Sequence, residues 1–173
     1  MIKYFPCALL LFIPISPACA DEIFAGAFVH DVQTPITRSG QEEGIDLQLG
    51  WRGDRIAALG FIGNPSPHLY ASANTSGDTS FAVAGVSWRI GGTFYARSGI
   101  GLAVHDGRNR SDVTPDRIDF GSRILFAPEV AVGIELGDRI SLEAAWIHLS
   151  HATLFGPHNP GSDNFGLRLN YRL

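Results

Sequence analysis

The chain of 173 residues has two cysteines, Cys7 and Cys19, and both fall within the first 20 residues. With that segment removed nothing carries a thiol, which excludes disulfides, thiolate nucleophiles and cysteine metal sites. Lysines are few, the net charge is −4 and no basic stripe is present. That argues against nucleic acid as a partner. Beyond residue 20 no segment reaches the roughly 18 to 20 unbroken apolar residues of a membrane helix. A mature chain that spans a bilayer must then do so as a closed barrel, because hydrocarbon leaves no other way to satisfy backbone polar groups.

What is present begins with a secretory pattern. Lys3 supplies a positive start, Cys7 to Ile15 an apolar run, and Ala18-Cys19-Ala20 a small-residue cleavage site. Residues 1–20 are expected to be a signal peptide, with a mature domain over 21–173. The run is too short, and too broken by Pro14 and Pro17, to span a bilayer. A lipid-modified Cys19 is disfavoured because Ser16-Pro17-Ala18 lacks a leucine three places upstream.

Twenty glycines suit a β-rich chain with tight turns. Eight strand-like segments follow: Glu22 to His30, Gly44 to Arg52, Pro67 to Thr75, Thr79 to Ile90, Thr93 to His105, Phe120 to Leu136, Arg139 to Ser150 and Asn164 to Leu173. The second sets Ile45, Leu47, Leu49 and Trp51 against Asp46, Gln48, Gly50 and Arg52, and the last alternates as cleanly. The apolar patch Ile56 to Ile62 fits none of them. Links after the fourth and sixth segments are about two residues, and those after the first, fifth and seventh are long and polar. Short turns at one end, long loops at the other and an even strand count describe an outer-membrane barrel with both termini in the periplasm. The long link after the second segment and the short one after the third fit this poorly. The fold expected is all-β, an eight-stranded antiparallel transmembrane β-barrel. Its rival is a soluble periplasmic barrel, which also alternates and would bind a small apolar ligand.

Chemistry concentrates near the end. Side chains alternate along a strand, so Leu142, Ala144, Trp146, His148 and Ser150 share one face. A histidine beside a serine is the pairing a base-activated hydroxyl needs. The base also needs a group to hold its tautomer, and Asp163 returns near His148 if the last two strands form a hairpin. On spacing alone the pairing is weak, because His-x-Ser is common and such residues at a strand end usually serve a loop. His148 and His151 are three apart, which points them to opposite faces of a strand, so no metal site is expected.

His148-Leu-Ser150-His151-Ala152, then Asn159-Pro160-Gly161-Ser162-Asp163 and the terminal strand, resemble the lipid A 3-O-deacylase family (PagL-type, acyloxyacyl hydrolase-like). Gly101 to Gly107 and Asn74 to Thr79 share the likeness, which covers most of the mature chain and is most specific over the last 26 residues. The resemblance implies an outer-membrane enzyme of a Gram-negative bacterium that hydrolyses the ester at the 3-position of lipid A from the lipid-facing surface. It maps the base to His148, the nucleophile to Ser150 and the acid to Asp163, where glutamate is typical. His151 stands where an asparagine often helps the oxyanion. Leu142 and Trp146 would lie along the fatty acyl chain, and Arg108, Arg110 and Arg117 are candidates for the phosphates. No cofactor is implied. Lipopolysaccharide and the membrane are the expected partners, and homodimerisation is left open. The alternative function is a catalytically silent barrel with a structural or adhesion role.

Overall fold

A two-residue period, repeated in segment after segment, commits each strand to one apolar and one polar face. The computed structural model describes residues 21–37, 41–108, 117–155 and 159–173. The expected signal peptide lies outside the described residues. The strands are β1 (Glu22–Val29), β2 (Ile45–Arg52), β3 (Ser66–Asn74), β4 (Phe81–Gly91), β5 (Phe94–His105), β6 (Ile124–Phe126), β7 (Glu129–Glu135), β8 (Ile140–Leu149) and β9 (Ser162–Arg172). They form one antiparallel sheet in the order β4-β3-β2-β1-β9-β8-β7-β5-β6, and a β4–β5 pairing closes it. β6 and β7 both pair with β5, so they are two pieces of one stave and the barrel has eight.

That interruption corrects the expectation of a single strand from Phe120 to Leu136. Ala127 and Gly101 still exchange both backbone bonds, at 2.8 and 3.1 Å. Pro128 has no N–H to return to His148, whose own N–H its carbonyl accepts at 3.0 Å, so one bond is lost on the β8 side while the register with β5 continues. Phe120 to Arg123 precede the stave, and the Phe120 N–H donates to the Arg108 carbonyl at 3.2 Å. The unplaced patch is a short 3-10 helix, Ala57–Ile62, between β2 and β3. The Trp88 indole N–H donates to its Ile62 carbonyl at 2.7 Å.

The barrel is inside-out by the standards of a water-soluble protein. Leu47, Leu49, Leu69, Leu102, Val104, Val132, Leu167 and Leu169 are exposed on its outer wall. Asp46, Gln48, Arg52, His68, Arg97, Glu129, Glu143 and Arg168 are buried in its lumen. Apolar out and charged in is the arrangement of a barrel solvated by lipid, which sets aside the soluble rival.

Charges withdrawn from water survive only when paired. Arg168 on β9 donates to Glu129 on β7 at 2.8 Å and to Gln48 at 3.2 Å. Its guanidinium also lies 5.0, 5.2 and 5.1 Å from the ring centres of Phe24, Phe28 and Tyr70. Arg97 on β5 donates to Glu143 on β8 at 2.8 Å, and Arg52 on β2 to Glu22 on β1 at 2.5 Å.

The end that carries the β1–β2, β3–β4, β5–β6 and β8–β9 links is held by a buried cluster. His30, just past β1, contacts Asp46 at 2.9 Å and Glu42 at 3.0 Å. Glu42 also accepts the Thr79 hydroxyl at 3.1 Å and the Ile118 N–H at 3.2 Å. Three loops therefore meet on one carboxylate. Burial pulls the His30 pKa down, but its hydrogen bonds to Asp46 and Glu42 and their charges outweigh that and raise it to about 9. Burial pushes Glu42 up, and its bonds to His30, Thr79 and Ile118 more than reverse this, so its pKa is lowered.

Two outcomes follow for stability in detergent micelles. Arg168→Ala strands Glu129 in the lumen and should cost roughly 3–5 kcal/mol, read from the denaturant midpoint. His30 gains stability from a raised pKa, so its contribution is complete below its ordinary value of 6.5 and is lost as pH rises through about 9. Glu42 contributes above its ordinary value and loses that contribution as pH falls through its lowered one. Thermal midpoints should therefore decline from pH 6.5 towards 9 in the wild type and decline less in His30→Gln.

Candidate active site

Pro160-Gly161 ends the β8–β9 link. Gly161 takes a φ of +69°, which an L side chain rarely adopts. The chain straightens after it, and β9 begins at Ser162, two residues before the expected Asn164. Asp163 is therefore inside the ladder, directly opposite His148. Residues opposite one another in an antiparallel pair project from the same face about 5 Å apart. Pairing alone thus brings imidazole and carboxylate together.

His148 Nδ1–H donates to Asp163 Oδ1 at 2.8 Å, and the Ser150 hydroxyl donates to His148 Nε2 at 3.0 Å. A carboxylate can only accept, so it fixes the proton on Nδ1 and leaves Nε2 as the acceptor facing the serine. The Ser150 backbone exchanges two bonds with Phe126, at 3.1 and 2.7 Å, which anchors the hydroxyl. The His148 N–H donates to the Pro128 carbonyl at 3.0 Å. A Cβ on Gly161 would come within 3.1 Å of His148 Cε1, so the loop passes hard against the ring. The Asp163 side chain is fully buried and that of His148 is 15% exposed. The carboxylate sits under the imidazole, away from solvent. The three sequence-predicted catalytic residues thus form one hydrogen-bonded chain, with the geometry of a hydroxyl, its base and the group that orients the base.

Asp163 has two further donors. Trp146 Nε1–H reaches Oδ1 at 2.9 Å, and the Thr34 hydroxyl bonds Oδ2. Thr34 lies in the β1–β2 link. The Val32 N–H also donates to the Asp163 carbonyl, at 2.7 Å, and the Asp31 N–H to the Asn164 side chain at 2.9 Å. Sequence reasoning missed this link altogether, because no local pattern connects residues 129 apart.

His151 is fully buried. Its N–H donates to the Asn159 side-chain oxygen at 3.0 Å, and its Nδ1 accepts from the Phe155 N–H at 3.4 Å. The turn it opens holds Ala152 and Thr153 at φ of 50° and 60°, closed by Leu154 N–H to His151 O at 2.9 Å. Two non-glycine residues with positive φ are costly and mark a conformation held by its surroundings.

Trp146 and Leu142 share the outward face with His148. Trp146 stacks on Phe165 with ring centres 6.3 Å apart and lies 6.2 Å from His148. It also walls a shallow apolar groove of about 510 Å³ with Val130, Val132, Ala144, Phe165 and Gly166. Leu142 is further down, between Ile134 and Leu169, roughly 20 Å from His148 at about 3.3 Å per residue. Of the loop arginines, Arg117 bonds the Gly77 carbonyl at 3.0 Å and pairs with Asp78 at 3.3 Å. Arg110 lies outside the described residues.

The family model described as lipid A 3-O-deacylase (PagL) matches residues 46–172. Among solved structures, the crystal structure of the outer membrane enzyme PagL superposes with a TM-score of 0.64 at 16% identity, over 88% of this chain and 99% of that one. Neisserial surface protein A superposes with a TM-score of 0.56 at 12% identity, over 89% of this chain and 97% of that one. No curated protein sequence matches significantly.

A base-activated hydroxyl should be selectively reactive. A fluorophosphonate is expected to label Ser150 in the folded protein, as read by intact-mass spectrometry. His148→Ala and Ser150→Ala should both abolish the adduct.

Proposed function

The chain belongs to the lipid A 3-O-deacylase (PagL) family, and from that premise we propose that it cleaves the 3-O-linked acyl ester of lipid A in the outer leaflet by a Ser-His-Asp mechanism. It is a hydrolase of the outer membrane. The observation that carries the reading is the unbroken run of hydrogen bonds from Ser150 through His148 to Asp163.

His148 Nε2 takes the proton from Ser150 Oγ as the oxygen attacks the acyl carbonyl. The imidazolium that forms is stabilised by Asp163, which keeps its own negative charge. Negative charge on the former carbonyl oxygen is met by His151 or by backbone N–H groups. His148 then returns the proton to the departing sugar oxygen. Water, activated by the same base, releases the fatty acid and restores Ser150.

His148 and Ser150 lie at the end of β8 that leads into the long β8–β9 link, which this reading turns outward. The groove beside Trp146 opens on the lipid-facing wall, so an acyl chain can enter it without leaving hydrocarbon. What the groove supplies is alignment of the ester against Ser150, and alignment is worth more than further burial to a chain already in the membrane. Leu142 extends the same apolar surface deeper.

Mass spectrometry of lipid A tests the reading. Expression of the wild type in a host with intact lipid A should remove one ester-linked acyl chain, and Ser150→Ala should leave the acylation unchanged. Identical lipid A from both would instead support a silent barrel. Asp163→Asn should keep the fold and lower kcat by roughly four orders of magnitude.

A further inference from the structure

Aspartate has a single methylene between backbone and carboxylate. On a strand opposite His148 it reaches the ring only if its χ angles are held, because Oδ1 must point where the imidazole N–H already is. Three donors surround Asp163: His148 Nδ1–H at 2.8 Å, Trp146 Nε1–H at 2.9 Å and the Thr34 hydroxyl. Trp146 and His148 approach Oδ1 from the β8 side, and Thr34 holds Oδ2 from the β1–β2 link. The link is itself stitched to β9 by the Val32 and Asp31 N–H groups, at 2.7 and 2.9 Å. We infer that Trp146 and Thr34 are positioning residues for the catalytic acid, and that Trp146 couples the acyl groove to it. The inference rests on the deacylase reading of this site.

The indole is placed for both tasks. One edge gives its N–H to Asp163, and the ring walls the groove, stacked on Phe165. An acyl chain lying in the groove packs against the same ring that aims the carboxylate. Binding of the remote part of the substrate is thereby turned into alignment at the reacting centre, which shows in kcat rather than in KM.

Substitutions separate the two tasks. Trp146→Phe keeps an aromatic wall and loses the N–H. Trp146→Ala loses both. Thr34→Val loses the hydroxyl at constant shape, and Thr34→Ser restores it. Purified variants in detergent micelles are assayed for fatty acid release from lipid A, with the compact mobility of the unboiled barrel on an SDS gel as the check of fold. Trp146→Phe and Thr34→Val should each lower kcat by at least about tenfold with KM nearly unchanged, because the loss is one of alignment. Thr34→Ser should recover most of the rate, and Trp146→Ala should add a rise in KM. A longer acid no longer ends where Thr34 waits. In an Asp163→Glu background Thr34→Val should therefore have much less effect, a non-additivity expected only of groups in contact.

Wild-type kcat in both Trp146→Phe and Thr34→Val, or losses confined to KM, overturns the inference. So does full additivity with Asp163→Glu. The two variants lie on different elements, so one that fails to fold leaves the other to decide. If Ser150→Ala is as active as the wild type, the deacylase mechanism fails first. If Ser150→Ala is inactive while both brace variants turn over normally, only the brace is lost.

Discussion

Hydrocarbon accepts no hydrogen bonds, and from that follows nearly everything about this chain. Each strand must pair on both edges, so the sheet closes through β4 and β5. Closure then divides the side chains into two populations with opposite solvents. The outer wall meets lipid and is leucine- and valine-rich, while the lumen receives the charges. Phe24, Phe28, Tyr70, Phe81, Val83 and Ile147 form a buried apolar cluster alongside those charges. Arg168, held among three aromatic rings and a glutamate, fills the centre where a soluble barrel would set leucines.

The same constraint decides where a polar site can sit. An imidazole and a hydroxyl on the outer wall are tolerable only near its edge, where headgroups and water are within reach. His148 and Ser150 occupy the end of β8, with the acid tucked beneath the ring. Trp146 suits that depth because its ring is at home in lipid and its N–H is not. Giving the N–H to a buried carboxylate satisfies both groups at once.

Much of this is legible in the sequence, for a physical reason. Lipid outside and charge inside impose a strict period of two, and that period is written into Ile45 to Arg52 and Phe165 to Leu173. Hairpin pairing follows from short separation in sequence, so the return of Asp163 to His148 could be inferred from the loop alone. The start of β9 could not, because Ser162 and Asp163 carry no apolar signal. Pro128 is plain in the sequence, yet only the pairings reveal that the stave resumes in register beyond it. Thr34 was invisible for a deeper reason. Alternation tells which way a side chain points and says nothing about which distant loop it will meet.

The lumen pairs have a consequence for how such a barrel comes to be in a membrane. Arg168 and Glu129 sit on β9 and β7, Arg97 and Glu143 on β5 and β8, and in neither case are the two strands neighbours. A flat sheet, with one strand between the members of each pair, would hold these ions about 10 Å apart, too far to neutralise one another. A half-assembled wall exposed to acyl chains would then carry naked charge into oil. Rolling up and discharging the interior must be a single event, and until it happens the concave side has to stay wet.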